Sequence, residues 1–306
     1  MTTVDRTSEP DTVATPRRRR RRRPGFAVVP AAVVGLYVLV AVLGPVLVPL
    51  DPVRVQLADR LLAPGSTTAA GSLALMGTDA VGRDIAAMLV HGARTSILIG
   101  FLTVVVCLVI GVVVGIVAGY RGGITDSVLS RLIDVLLAFP SIVLAIVVAG
   151  LFTRSIAVVV IALALTGWIR FARLTRGETL ALRERDWVMA ARVLGVRSLS
   201  IMARHILPFL VGPIAALITI EFGLVVLAEA GLSFLGIGLP ATVVSWGQMI
   251  ANGRDYLDTA WWISAFPGLA LALLVVSVGL LGDHLNSRYQ RGGDIATAET
   301  NQKPAP

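Results

Sequence analysis

Two carboxylates, Glu221 and Glu229, interrupt an otherwise apolar run from residue 209 to residue 230. Their eight-residue spacing places them about 80° apart on a helix, roughly on one face. A carboxylate inside a membrane span faces a cavity or a partner rather than lipid. Glu221 therefore fits a pathway lining and a hydrogen bond to a neighbouring helix equally well. Glu229 lies nearer the outer end of the run, where solvation alone would satisfy it. Docking chemistry is suggested by the basic segment Asp186–Pro208, DWVMAARVLGVRSLSIMARHILP, set between two long apolar runs. Asp186 is placed to N-cap a short helix. Trp187, Val188, Ala191 and Leu194 recur at helical spacing and predict an apolar stripe. Arg183, Arg185, Arg192 and Arg197 leave basic heads for an acidic partner or lipid. Ala190 and Ala191 let another surface approach closely. Gly195 permits a left-handed C-cap that turns the chain. Ile201, Met202, His205 and Ile206 begin a second amphipathic stretch, and Pro208 suits the start of the next span. Composition alone fits this segment equally to an amphipathic helix lying on lipid.

Other chemistries lack their residues. Lys303, in the C-terminal tail, is the single lysine. A phosphate loop of the form G-x-x-x-x-G-K-[ST] needs a lysine to reach the phosphates, so this chain holds none. It also has no G-x-S-x-G and no H-E-x-x-H. His91, His205 and His284 fall in separate segments with no ligand spacing, so no metal site is expected. Cys107 is the lone cysteine, within an apolar run, and no intrachain disulfide is possible. No catalytic residue and no cofactor bound by this chain are expected.

The elements that must position these residues are membrane helices. Hydrophobic residues make up 56% of the 306-residue chain. Residues 26–50, 95–120, 135–153 and 259–282 carry no charge, and about 20 such residues cross a hydrocarbon core of about 30 Å. Residues 155–169 form a shorter run that Arg170 and Arg173 could extend by snorkelling. With residues 209–230, six spans are expected. Backbone groups in lipid must be satisfied within the segment, so the fold class is all-α and polytopic. With the N-terminus inside, 21 of 27 basic residues lie on the inner side. That bias places both termini in the cytoplasm. The run Arg17–Arg23 reads as an orientation signal that also touches anionic lipid, not as a nucleic-acid tail. The first span stays as an anchor. Residues 1–25 and 286–306 read as disordered tails, 26–50 as the anchor, 51–94 as an external loop and 95–285 as a five-helix core. A cytoplasmic loop, 174–208, interrupts that core.

Within the loop 51–94, Asp79 is placed to cap a short interfacial helix from near Val81. Gly111, Gly115 and Gly119 stack on one helix face and predict close packing. Arg131 and Asp134 can pair at i, i+3. Pro140 predicts a kink, structural or a gating hinge.

Several stretches match a known family. Ala190, Ala191, Gly195, Ile201, His205, Ile206, Leu207 and Pro208 resemble the cytoplasmic coupling loop of ABC importer permeases. Gly77, Thr78, Asp79, Gly82, Arg83, Asp84, Gly92, Ala93, Arg94 and Ser96 resemble the G-T-D-x-x-G-R-D…G-A-R-x-S segment of the oligopeptide, dipeptide and nickel permeases. EAGLSFLGIG, residues 229–238, is similar to their E-x-x-L-S-F-L-G-x-G. Gly282 and Asp283 fit a terminal G-D pair, beyond which His284, Asn286 and Ser287 depart from the pattern. Met189 stands where the family usually carries an acidic residue. The resemblance spans about residues 30 to 285.

This resemblance implies the second permease of a peptide/nickel-type importer working by alternating access. Its implied partners are a homologous permease, two ATP-binding subunits that use ATP and Mg, an external substrate-binding protein and membrane lipid, with no nucleic acid. It implies ATPase docking at Asp186, Ala190, Ala191, Arg192, Gly195, Ile201, His205 and Pro208. The candidates for pathway or gate are Glu221, Glu229, Ser233 and Pro140. Peptide is the first cargo, with nickel or another small solute as the alternative. The rival class is a stand-alone proton-coupled transporter with Glu221 as carrier, which should show internal repeats; none is evident. A membrane anchor or sensor is a third reading.

Overall fold

The computed structural model describes residues 28–47 and 51–301, with side chains for 28–46 and 51–287. The arginine run and the tail 1–25 lie outside the described residues. The chain passes through α1 (Val28–Leu47), the hairpin β1 (Ser66–Thr67) and β2 (Leu73–Ala74), α2 (Ile85–Arg121) and α3 (Gly123–Leu137). Then follow α4 (Ser141–Leu151), α5 (Ile156–Arg183), α6 (Asp186–Val193), α7 (Ser198–Ile201), α8 (Leu207–Phe234), α9 (Trp246–Gly253) and α10 (Trp262–Asn301). α1, α2, α5, α8 and α10 are each long and apolar enough to cross a membrane, and α3 with α4 passes the same test as a pair bent by 81°. Helical backbone reaches Asn301, whereas composition had pointed to disorder from residue 286.

The α2–α5 pair is the axis of the core. A Cβ on Gly111, Gly115 or Gly119 would strike Phe171, Thr175 or Thr179 and the α5 backbone beside them. Lipid tails are as apolar as leucine, so helices associate here through such close packing rather than through apolar burial. This contact also explains why α5 outruns its apolar stretch. Phe171, Ala172, Thr175 and Thr179 stay buried as the helix continues to Arg183. Residues 174–183 are therefore helix, and the interruption begins near residue 184, later than expected. Arg176 forks onto Asp126 of α3 at 2.5 and 2.8 Å. Among the described residues no ion pair joins Arg131 to Asp134; Arg176 makes the inter-helix link in its place.

Pro140 stands between α3 and α4 with φ −57° and ψ 123°. Proline fixes φ and offers no N–H, and it pushes the preceding residue out of helix, so the span breaks here rather than kinking gently.

The outer loop is a hydrogen-bonded knot. Asp79 accepts the N–H groups of Val81 and Arg83 and pairs with the Arg83 side chain at 2.6 Å. Thr78 accepts from Leu62 N–H and donates to Asp59 O. Trp262 Nε1 donates to Thr78 O, tying the loop to the start of α10. Gly82 has φ +78°, and a Cβ there would meet the Gln56 carbonyl. Asp79 is thus a turn residue. The cap is Asp84, whose carboxylate accepts from Ala87 N–H. The short helix expected from near Val81 starts at Ile85 and runs on without a break as the first turns of α2, a lead-in to that span.

Candidate functional site

Three places hold the candidate residues. The first is the α6–α7 segment. α6 is one short helix outside the long spans, with Arg185 as its N-cap residue. Asp186 is therefore the first helical residue, where its charge complements the helix dipole without a capping bond. Gly195 has φ +77°. Val196 N–H reaches Ala191 O and Gly195 N–H reaches Arg192 O, the paired bonds of a Schellman stop. Val188 and Ala191 are buried with Ile201, Met202, Ile206 and Leu210 against Ile116 and Tyr120 of α2. Ala191 therefore faces inward, while Ala190 is exposed, so the alanine pair does not form one outer face. Leu194 also leaves the expected stripe, being 82% exposed.

What faces outward is apolar. Met189, Val193, Leu194 and Leu199 are all exposed. Sequence periodicity missed this patch because Met189, Val193 and Leu199 lie off the expected stripe and Leu194, placed on it, turns outward. Their signal was the excess of large apolar residues in a short segment outside the spans. The arginines are less free than expected. Arg192 lies 5.4 Å over the Tyr120 ring, and Arg183 donates to Gly119 O at the end of α2. Half-buried His205 stacks on Trp187, and its Nδ1 has no hydrogen-bond partner among the described residues. Residues Met202–Ile206 form a π-turn leading into α8. Pro208 sits in the first turn of α8 and lacks the N–H that would continue an ordinary ladder.

The second place joins Glu221 to Pro140. Arg170 Nη1 of α5 donates to both carboxylate oxygens of Glu221 at 2.8 Å. The Glu221 side chain is 3% exposed and that of Arg170 is 52% exposed. Arg170 is thus an ion-pair partner rather than a snorkelling residue. The pair borders a cavity of about 500 Å3 that Pro140 and Arg173 also line. The pairing had a sequence signal: opposite charges in two apolar runs whose helices must pack.

The third place encloses Glu229. This carboxylate is fully buried, so the expectation that it is merely solvated fails. It accepts from Ser96 Oγ of α2 at 3.2 Å and Ser233 Oγ at 2.8 Å. Ser245, the N-cap of α9, touches Ser233 Oγ at 3.5 Å, and Trp246 N–H approaches Ser96 Oγ at 3.5 Å. Glu229 therefore knits α2, α8 and α9 together. The structure does not bring it to the Glu221 cavity. Ser233 instead borders a separate polar pocket of about 640 Å3 with Arg83, Arg154 and Arg254. Ser96 and Ser245 had no sequence signal as Glu229 partners, since Ser96 lies on α2 and Ser245 at the cap of α9, not on the helix of Glu229.

Apolar spans, a bent pair beside a charged cavity and a short helix held outside the spans define a membrane permease. The chain belongs to the family of binding-protein-dependent transport system inner membrane components, whose model matches residues 111–291. It is 37% identical to the di/tripeptide transport system permease protein of Pseudomonas aeruginosa, over 82% of both chains. It is 38% identical to the dipeptide transport system permease protein DppC of Escherichia coli K12, over 86% of this chain and 88% of that one. A chain of the inward-facing MetNI methionine ABC transporter superimposes with a TM-score of 0.54 at 19% identity. That match covers 66% of this chain and 96% of the other, and it shows the ABC importer permease fold. The protein is thus a multi-pass inner-membrane permease subunit, from a family that works with ATPase and substrate-binding subunits.

Proposed function

We propose that this permease passes di- or oligopeptides inward across the cytoplasmic membrane by alternating access. It pairs with a homologous permease, two ATP-binding subunits and an external binding protein. ATP and Mg act on the ATP-binding subunits, and this chain performs no covalent step. Both termini are cytoplasmic, which sets α6 and α7 on the ATPase side and the Asp79 knot on the binding-protein side. The peptide relatives support the cargo.

The observation that carries the mechanism is the two-sidedness of α6. Its inner side is locked to α2 and α8 through Val188, Ala191 and Ile206. Its outer side offers Ala190, Val193 and Leu194. A push on the outer side is transmitted to the spans by tight packing, which interiors resist by low compressibility. ATPase closure thus reaches α8, and through α8 the Glu221 cavity. The test is uptake of labelled dialanine by proteoliposomes holding the whole importer. Uptake must require ATP and the binding protein. Uptake of nickel without peptide would overturn the cargo, and uptake without ATP would overturn the mechanism. Orientation is tested by cysteine labelling of intact cells in a Cys107→Ala background. Thr67→Cys should react from outside and Ser198→Cys should not; the reverse inverts the topology.

A further inference from the structure

The Arg170–Glu221 pair is spent unevenly. Glu221 uses both oxygens on one nitrogen, Arg170 Nη1. Nε and Nη2 of Arg170 have no partner among the described residues. A guanidinium carries five N–H donors in a planar fork, and its Nε/Nη2 edge can take a carboxylate side-on. The carboxylate of Glu221 is buried, while the Arg170 side chain remains half exposed at the cavity wall. Arg173 lies one turn along α5 on the same cavity, and it has no ion-pair partner among the described residues. The charged lining is thus two cations and one consumed carboxylate. It favours an anion and offers nothing to a cation.

We infer that Arg170, oriented by Glu221 and assisted by Arg173, receives the C-terminal carboxylate of a peptide in transit. Glu221 is the positioning residue: its grip on Nη1 turns the free edge of the fork toward the cavity. The peptide's ammonium group is not read here, because Glu221 is buried and already paired. The inference rests on the peptide reading above and adds which end of the cargo the passage recognises. The Pro140 break lines the same cavity, so the site lies where α3 and α4 diverge.

The probes are dialanine, dialanine amide and N-acetyl-dialanine, each supplied on binding protein saturated with it, with the whole importer in proteoliposomes. Wild type should import dialanine and the N-acetyl peptide faster than the amide. Arg170→Lys keeps charge and ion pair but removes the fork. It should lower uptake of the two free acids about tenfold and leave the amide unchanged, since a lost charge-assisted hydrogen bond is worth about that factor. The double variant Arg170→Gln with Glu221→Gln removes the buried charge together with its partner and should show the same loss. Arg173→Gln should show a smaller loss of the same kind. Equal loss for acid and amide, or full acid preference in Arg170→Lys, overturns the assignment. A defect confined to the N-acetyl peptide overturns it too. Failure of the peptide reading looks different: wild type then imports none of the three.

Discussion

Glu221 and Glu229 stand two turns apart on α8, and the fold treats them in opposite ways. Glu221 meets a cation, Arg170, at the edge of a cavity. Glu229 meets no cation among the described residues; hydroxyls from Ser96 and Ser233 surround it in a sealed contact of three helices. Both solve one problem, since a polar group removed from water must find partners. They solve it for different ends. An ion pair with one exposed member leaves guanidinium donors unspent at the cavity wall. A hydroxyl cage leaves nothing available and instead fixes α9 against α2 and α8. Two like residues on one helix are thus half of a part-exposed ion pair and a fastener.

That contrast breaks most sharply at Arg170. Arg170→Ala leaves the buried Glu221 carboxylate without its half-exposed cation, and stranding a buried charged group costs about 3 kcal/mol. The prediction is a lower unfolding temperature and poor recovery of the assembled importer. An undiminished melting temperature would mean that the pair carries no structural load. The fastener should behave otherwise. Glu229→Gln keeps one acceptor oxygen, and its amide N–H can donate to the hydroxyl that loses the other, so stability should change little. Glu229→Ala strands two buried hydroxyls and should cost about 2 kcal/mol. If Gln and Ala are equally damaging, charge rather than hydrogen bonding matters at Glu229, and the contrast with Glu221 fails.

A third variant separates both carboxylates from the outer helix. Gly195→Val puts a β-branched residue at φ +77°, with open space around it. The penalty is backbone strain alone, about 1–2 kcal/mol, because no neighbour obstructs the side chain. The spans should insert normally while ATPase subunits co-purify poorly and uptake is lost. Normal ATPase recovery with normal uptake would remove α6 as the docking element. The smallest effect belongs to Ser96→Ala, which deletes one hydroxyl bond to Glu229 and a long contact from Trp246 N–H. About 1 kcal/mol of stability should go, read as a modest fall in melting temperature with uptake retained. A loss of transport larger than the loss of stability would turn the cage into part of the pathway.

Much of the outline was legible in the chain. The uncharged runs defined spans because their length matches the bilayer, a purely local property. The Gly111, Gly115 and Gly119 spacing foretold close packing because helical periodicity is fixed. Gly195 foretold its own turn for the same local reason. The Asp79 motif was visible but misread. Asp79 and Asp84 are both plausible caps, and only the closed loop, with Gly82 against Gln56, assigns the turn to one and the cap to the other.

What the sequence determined alone is whatever depends on neighbours within a few residues: helix periodicity, a bend at Pro140, the turn at Gly195, the absence of a phosphate-loop lysine, and apolar length. What only the tertiary structure decided is which distant groups meet. Arg170 is 51 residues from Glu221, and Ser96 is 133 from Glu229. No local preference encodes those pairings. They arise because α2, α5 and α8 pack close enough that each buried polar group must be satisfied by whichever side chain the neighbouring helix presents.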